Sequence, residues 1–197
     1  MVRITDPEKS LLVAISRGNL EAVKFLLNMG VIFTTDTLRQ VAGVSCDKGY
    51  IEIVKLLEKS LNVNEILFYA VWYEKEELVK YLVNKGAIHY PALHYAVERH
   101  SPEFVEVLMG SNHGSLSNLL YSAAKGGNIP VMNYLINLGA GDFDSALLAA
   151  VGHCQLEASI LLLEKGAKDY NFALRHNMSN NKQIEEILIA ARDRPKI

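Results

Sequence analysis

The chain has 197 residues, 50% of them apolar and 21% charged, with a formal net charge of −2. That is ample material for a buried core, and no stretch is basic enough to track a phosphate backbone, which argues against nucleic acid as a main partner. The longest apolar runs, "SALLAAV" and "SILLL", fall far short of the roughly 20 residues that a membrane-spanning helix needs.

Taken in order, the elements begin at Asp6-Pro7-Glu8, where an N-cap, a first-turn proline and an early acid coincide. A first helix runs from there towards Gly18. A second follows in "NLEAVKFLL" and stops at Gly30, since glycine is the residue that tolerates a left-handed helix end best. The next stretch contains "RQVAGVSCDK" and then "GYIEIVKLL". Leu11 to Leu38 is 27 residues, but Gly18 to Gly49 is 31. The four extra residues fall between Leu38 and Gly49, and four residues are about one helical turn. They read as a tolerated lengthening of one helix. "KEELVKYLV" then closes at Gly86. In "PALHYAVERH", Leu93, Ala96 and Val97 share one helical face, and Ser101-Pro102-Glu103 opens the apolar "PEFVEVLM". "LYSAAKGGNIPVMNYLINLGA" closes at Gly139, "QLEASILLL" is followed by Gly166, and "KQIEEILI" ends the series.

The series has a period. Glu21, Glu52, Glu77, Glu103, Pro130, Glu157 and Ile184 open successive second helices, at spacings of 31, 25, 26, 27, 27 and 27. Seven residues before each stand Ala14, Ser45, Ala70, Ala96, Ala123, Ala150 and Asn177. The chain is therefore an array of about seven helix–turn–helix repeats, an all-α solenoid. The repeats are bounded roughly at 6–32, 33–62, 63–88, 89–113, 114–141, 142–168 and 169–197, within a single domain. Glycine holds the turn between the two helices at positions 18, 49 and 127, whereas Glu74, His100, Cys154 and Asn181 replace it. Those four turns are expected to be locally adjusted.

A repeat with Ala-Leu-His-x-Ala, then Gly, then Glu-Ile-Val-Lys-x-Leu-Leu, then Gly-Ala resembles the ankyrin repeat. "PALHYAVERHSPEFVEVL", "LVAISRGNLEAVKFLLNMG" and "GYIEIVKLL" carry the resemblance most clearly. Most repeats here are shorter than the family's 33 residues. The shortfall lies between Gly-Ala and the next helix, which implies shortened or absent β-hairpin fingers. Tyr90, Phe143 and Tyr170 each stand four residues after the glycine, and read either as plugs that fill the shortened loop, favoured by the periodic position, or as exposed anchors for a partner. The trimmed form is similar to ankyrin proteins of large DNA viruses and of some amoeba-associated bacteria. The last repeat, with Asn177 at the small position, is expected to close the stack with polar residues.

No phosphate loop, His-Glu-x-x-His or Gly-x-Ser-x-Gly occurs in the sequence, so no catalytic, cofactor or metal site is read and no enzyme is expected. His94 stands at the family's Leu-His position, where the resemblance implies a structural hydrogen bond to a neighbouring loop. His153 and Cys154 are adjacent and cannot work as a base–nucleophile pair. Cys46 and Cys154 are the only cysteines. With no leader before the first polar helix, they point to a reducing, cytoplasmic setting, the host cytoplasm if the protein is viral.

The resemblance implies that first helices line a concave face, with outward positions just before the small residue and two to three after it. Those positions hold Val13, Ser16 and Arg17, then Val44, Asp47 and Lys48, then Tyr69, Trp72 and Tyr73. Tyr95, Glu98 and Arg99 continue them, followed by Ser122 and Lys125, Ala149 and His153, and His176 and Asn180. Aromatic and arginine side chains dominate binding hot spots. Tyr69, Trp72, Tyr73, Tyr95, Glu98, Arg99 and Lys125 are therefore the candidate partner-binding residues. The reading is a non-enzymatic module that grips a protein partner, in a viral or pathogen setting a host protein. With only "RDRPKI" after the last helix, it is expected to be a recognition arm rather than a ligase adaptor. The alternative is a self-associating scaffold, with the aromatic patch as the contact of a homo-oligomer.

Overall fold

Polar caps written into the sequence start most of the helices. The computed structural model describes residues 6–29, 33–110, 114–177 and 180–193, so Gly30 and the repeat boundaries drawn at 32, 113 and 197 lie outside the described residues. Asp6 accepts from the Lys9 amide at 3.0 Å, Thr34 from Thr37 at 3.2 Å and Asp142 from Ser145 at 3.1 Å. A cap of this kind stabilises a helix by ~1 kcal/mol.

The described residues form fourteen helices and no strands, and by contact the chain falls into two compact units, Met1–Ala92 and Leu93–Ile197. In the first unit α1 (Pro7–Ser16) packs on α2 (Leu20–Asn28) and α3 (Thr35–Lys48). There α3 also meets α4 (Ile51–Leu57) and α5 (Val63–Trp72), and α5 meets α6 (Glu76–Asn84). The second unit holds most of α7 (Tyr90–Arg99), then α8 (Pro102–Met109), α9 (Leu116–Gly126) and α10 (Ile129–Asn137). It continues with α11 (Phe143–Gly152), α12 (Leu156–Glu164), α13 (Tyr170–His176) and α14 (Lys182–Arg192). Here too first helices pack on their own second helices and on the next first helix, α9 on α10 and α11, and α11 on α12 and α13.

All seven small residues are buried, none more than 7% exposed. The turn explains why. The Asn19 amide donates to the Ala14 carbonyl at 2.9 Å, and Tyr50 to Ser45, Lys75 to Ala70, Asn128 to Ala123 and Gln155 to Ala150 follow at 2.8–2.9 Å. The residue in between is left-handed, even where glycine is absent: Glu74 has φ 56° and Cys154 φ 59°. Each costs about 1 kcal/mol relative to glycine. His100 does not adopt this form. Its amide bonds to the Ala96 carbonyl at 2.8 Å, and Ser101 is extended at φ −74°, ψ 159°, as a residue before proline must be.

The last repeat is one residue shorter in its turn than the spacing of 27 implies. Asn180, not Asn181, is left-handed at φ 50°. Asn181 is the N-cap, accepting from the Gln183 and Ile184 amides. Gln183 therefore stands where Glu157 stands, and Ile184 falls one place later. Apolar character at Ile184 masked this shift. Asn177 is buried rather than outward, and its amide both donates to the Asn181 carbonyl at 2.9 Å and accepts from its N–H at 3.1 Å. The polar close is carried instead by Glu185. It is exposed at the position where Val23, Val54, Val79, Val105, Met132 and Ser159 are fully buried.

The four-residue insertion also sits elsewhere than expected. The helix α3 has 14 residues where α1 and α5 have 10. It begins ten residues before its small residue, whereas α1 and α5 begin seven before theirs. The extra turn is thus at the start of α3, and Ala42 rather than Leu38 is the counterpart of Leu11.

In place of a β-hairpin finger, a side chain six residues before the small residue ties down the next loop. Glu8 accepts from the Thr34 amide at 3.0 Å, Asn64 from Ile88 at 2.8 Å, and Asp144 from Asp169 at 2.9 Å and from Lys168. The aromatics do not act as uniform plugs. Tyr90, Phe143 and Tyr170 are each the first residue of a helix, where side chains lean outward. Tyr90 is 46% exposed, and the other two are half-buried. Beside Tyr90, His89 fills the loop, with its Nδ1 accepting from the Ala92 amide at 3.1 Å and its ring 5.5 Å from Phe68. Burial holds its pKa below the usual histidine value.

Candidate partner-binding surface

In the first compact unit, the helix α5 carries Tyr69 and Trp72, and Tyr73 follows as its C-cap, its amide bonded to the Tyr69 carbonyl at 2.9 Å. Trp72 is 50% exposed and Tyr73 36%. The Trp72 ring leans on Phe68, with ring centres 6.1 Å apart. Tyr69 is half-buried and lies over Gly43 of α3. A Cβ on Gly43 would lie 3.7 Å from the Tyr69 ring.

An open groove of about 550 Å³ lies over α3. Tyr69 and Tyr73 wall one side, Leu12 stands on the other, and Asp36, Arg39, Gln40, Gly43 and Val44 form the floor. On the far side of Tyr69 lies a smaller depression of about 210 Å³ between Arg39, Glu65, Phe68 and His89. Arg39 reaches both, 3.6 Å from Asp36 and 3.6 Å from Glu65. At about half exposure these ion pairs add little stability, so the guanidinium remains available to a partner. Sequence reasoning missed Asp36, Arg39, Gln40 and Gly43. The signal was the inserted turn itself, which was read as a neutral lengthening.

In the second compact unit, Tyr95, Glu98 and Arg99 lie on α7 and Lys125 on α9. The Arg99 guanidinium stands 5.1 Å over the Tyr95 ring. His100 flanks that ring at 5.9 Å and stacks on Phe104 at 4.6 Å. Lys125 Nζ meets Glu98 Oε1 at 2.9 Å, with Glu98 only 18% exposed. The helices α7 and α9 come this close because Gly126 has no side chain. A Cβ there would fall 2.5 Å from the Glu98 carbonyl oxygen and 2.8 Å from its Cα.

Two expected outward positions are not outward. Ser122 is 7% exposed, its Oγ 2.6 Å from His94 Nδ1, and Ala149 is 3% exposed. Close approach of neighbouring first helices covers them. The His94 contact is structural, as its position implied, but its partner lies on helix α9 rather than in a neighbouring loop. His153 and Cys154 are both exposed, and His153 Nδ1 lies 3.0 Å from the carbonyl of Ala149 in its own helix. Cys46 is fully buried, with its thiol pushed up to about 12 by burial. Among the described residues no cluster of three or more metal-ligating side chains occurs, and no helix is long and apolar enough to cross a membrane.

Paired helices joined by a left-handed turn, with small residues sealed at every hairpin, match one repeat type. The family model described as ankyrin repeats (3 copies) fits residues 3–90, 44–118 and 93–173. The chain belongs to the ankyrin-repeat family. Ankyrin repeats generally serve as protein–protein interaction modules, and the fold is generally a non-enzymatic scaffold. A curated ankyrin repeat protein of Rickettsia felis is 29% identical over 65% of this chain and 38% of its own length. The chain thus spans under two fifths of that relative. The crystal structure of the human ASB11 ankyrin repeat domain matches with a TM-score of 0.69 at 23% identity, covering 94% of this chain and 99% of that domain. That second likeness is one of fold.

Proposed function

We propose that this ankyrin chain binds a protein partner on the face made by its first helices, with the groove over α3 as the principal contact of the first compact unit. The supporting observation is that groove itself: Gly43 lies in its floor, Tyr69 and Tyr73 wall it, and Arg39 faces it. A flat aromatic wall beside a forked cation suits a peptide segment or loop with one apolar anchor and one carboxylate. In the second unit, Tyr95 with Arg99 above it, together with the Glu98–Lys125 pair, forms a second contact area of the same chemistry. The concave placement of both areas follows the family's habit and belongs to the proposal. So does the setting, a viral or pathogen protein engaging a host protein in the host cytoplasm. The bacterial source of the curated relative supports a pathogen over a virus.

The test is affinity capture from host-cell lysate with the wild type, Tyr73→Ala/Arg39→Ala, and Tyr95→Ala/Arg99→Ala, with folding checked by circular dichroism. Loss of a prey protein in a folded variant supports the reading. Equal prey sets, together with concentration-dependent dimers that the same substitutions abolish, would instead favour self-association through the aromatic patch.

A further inference from the structure

Most helix starts in this chain are closed by a side-chain oxygen. Asp6, Asn19, Ser101, Ser115, Asn128 and Asp142 each accept from the amide three residues on, and such oxygens go on accepting at any pH above about 4. The start of α7 is closed differently. His89 stands in that place, and its Nδ1 accepts from the Ala92 amide at 3.1 Å. An imidazole nitrogen accepts only while the ring is neutral, because in the protonated ring both nitrogens carry hydrogen. With Nδ1 accepting, the single proton of the neutral ring stands on Nε2.

The surroundings make that bond sensitive to a proton. Ala92 is fully buried, so its amide has no water to turn to when the ring stops accepting. A cation at a helix start is opposed by the helix dipole, and the first turn of α7 holds no acidic residue to offset it. The half-buried ring lies against Phe68, with centres 5.5 Å apart, in the depression of about 210 Å³ that Arg39 of α3 and Glu65, Phe68 and Tyr69 of α5 also line. Arg39 opposes a second cation there and Glu65 favours one, but Glu65 is shared with Arg39 at 3.6 Å. The other titratable groups nearby are engaged or turned away. Lys85, the C-cap of α6, lies over the Tyr81 ring, Tyr90 leans outward, and His94 Nδ1 meets Ser122 Oγ at 2.6 Å. Burial outweighs Glu65 and holds the His89 pKa below the ordinary 6.5.

We infer that His89 is a pH-sensitive latch on the start of α7. Neutral, it closes the first turn by accepting the Ala92 amide. Protonated, it lets that amide go and turns towards Glu65, the one carboxylate that lines the depression among the described residues, drawing Glu65 from Arg39. The sign follows from the lowered pKa. The latch contributes its full stability above the unfolded value of 6.5 and loses it as pH falls through the folded one. Acid thus frays the start of α7 and leaves two cations, His89 and Arg39, beside the groove over α3. An acid-sensitive grip on a partner in that groove is a consequence that rests on the partner-binding reading above. The latch itself does not.

The experiment is an NMR titration of the full chain downward from a pH above 6.5, read at the imidazole ring and at the Ala92 amide. His89 should titrate below 6.5, from a neutral ring protonated on Nε2. The protection of the Ala92 amide against exchange should fall on the order of tenfold once the ring is protonated, as one hydrogen bond is lost. His89→Asn keeps a cap acceptor that does not titrate, so its Ala92 amide should stay protected throughout. That variant also loses the packing on Phe68, an offset in Tm that does not vary with pH, so the pH-dependent difference from wild type is the latch alone. Glu65→Gln removes the opposing carboxylate and should push the His89 pKa lower still. A His89 pKa at or above 6.5, or Ala92 protection that falls equally in wild type and His89→Asn, would overturn the inference. So would a pKa that Glu65→Gln leaves unmoved or raises. Because no partner enters the titration, a failed latch and a failed partner capture are separate results.

Discussion

Replacing Gly126 by alanine tests the close approach of α7 and α9, because two physical effects oppose each other there. On helix propensity alone, alanine is better than glycine by up to ~1 kcal/mol, and less at the last residue of a helix, where Gly126 sits. Packing argues the other way. The new Cβ would meet the Glu98 oxygen at 2.5 Å, its Cα at 2.8 Å and its carbonyl carbon at 3.0 Å. All three are backbone atoms, so no side chain can swing aside. The helices must part by roughly 1 Å to restore ordinary contact, and such overpacking costs about 1–3 kcal/mol. Parting them also stretches the 2.9 Å Lys125–Glu98 bridge. The expected net loss is about 2 kcal/mol, a fall in Tm of roughly 4–8 °C for a chain of this size. Thermal and urea melts of Gly126→Ala beside wild type measure it. An unchanged or higher Tm would show that the helices are not held in backbone contact at Glu98.

Glu8, which ties the loop at Thr34, has its carboxyl below the usual range because it accepts that backbone amide. A depressed pKa gives stability above the unfolded value near 4.5 that is lost as pH falls through the folded one. Glu8→Gln should therefore flatten the acid limb of a stability–pH profile as pH falls below the unfolded value of 4.5, and an unaltered limb would remove the tie from consideration. Asp144→Ala should release the Lys168 and Asp169 amides, at about 1 kcal/mol, while Asp144→Asn keeps an acceptor. Amide exchange at those two residues distinguishes the variants, and equal protection in both would contradict the tie. Because Cys46 is buried with its thiol raised to about 12 and Cys154 is exposed, a thiol reagent should modify one cysteine in the native protein and two in denaturant. Rapid modification of both in the native state would place Cys46 outside the core.

Much of the fold could be read from residues alone. The recurring small residue followed after seven places by an acid marked the hairpins, and the caps at Asp6 and Ser101 gave helix starts that the structure keeps. The misreadings share a cause. At Ile184 and at Leu38, apolar character was taken as the guide to register. Hydrophobicity says that a residue prefers cover, but not which neighbour supplies it. The polar atoms carried the register: Asn181 as a cap, Asn180 as the left-handed residue. The candidate surface was legible only as a set of exposed residue types. Its groove is floored by the lengthened α3, whose extra turn could not be valued before Tyr69 and Tyr73 were seen beside it.

The sequence by itself determined that the chain is a stack of short helical pairs, because period, caps and small residues are local properties, enforced within each hairpin by backbone geometry. Tertiary structure decided what each repeat presents. Whether Ser122 is covered or Tyr73 exposed depends on the repeat packed beside it. That neighbour lies some 27 residues away, and its distance of approach is set by single atoms such as the missing Cβ of Gly126.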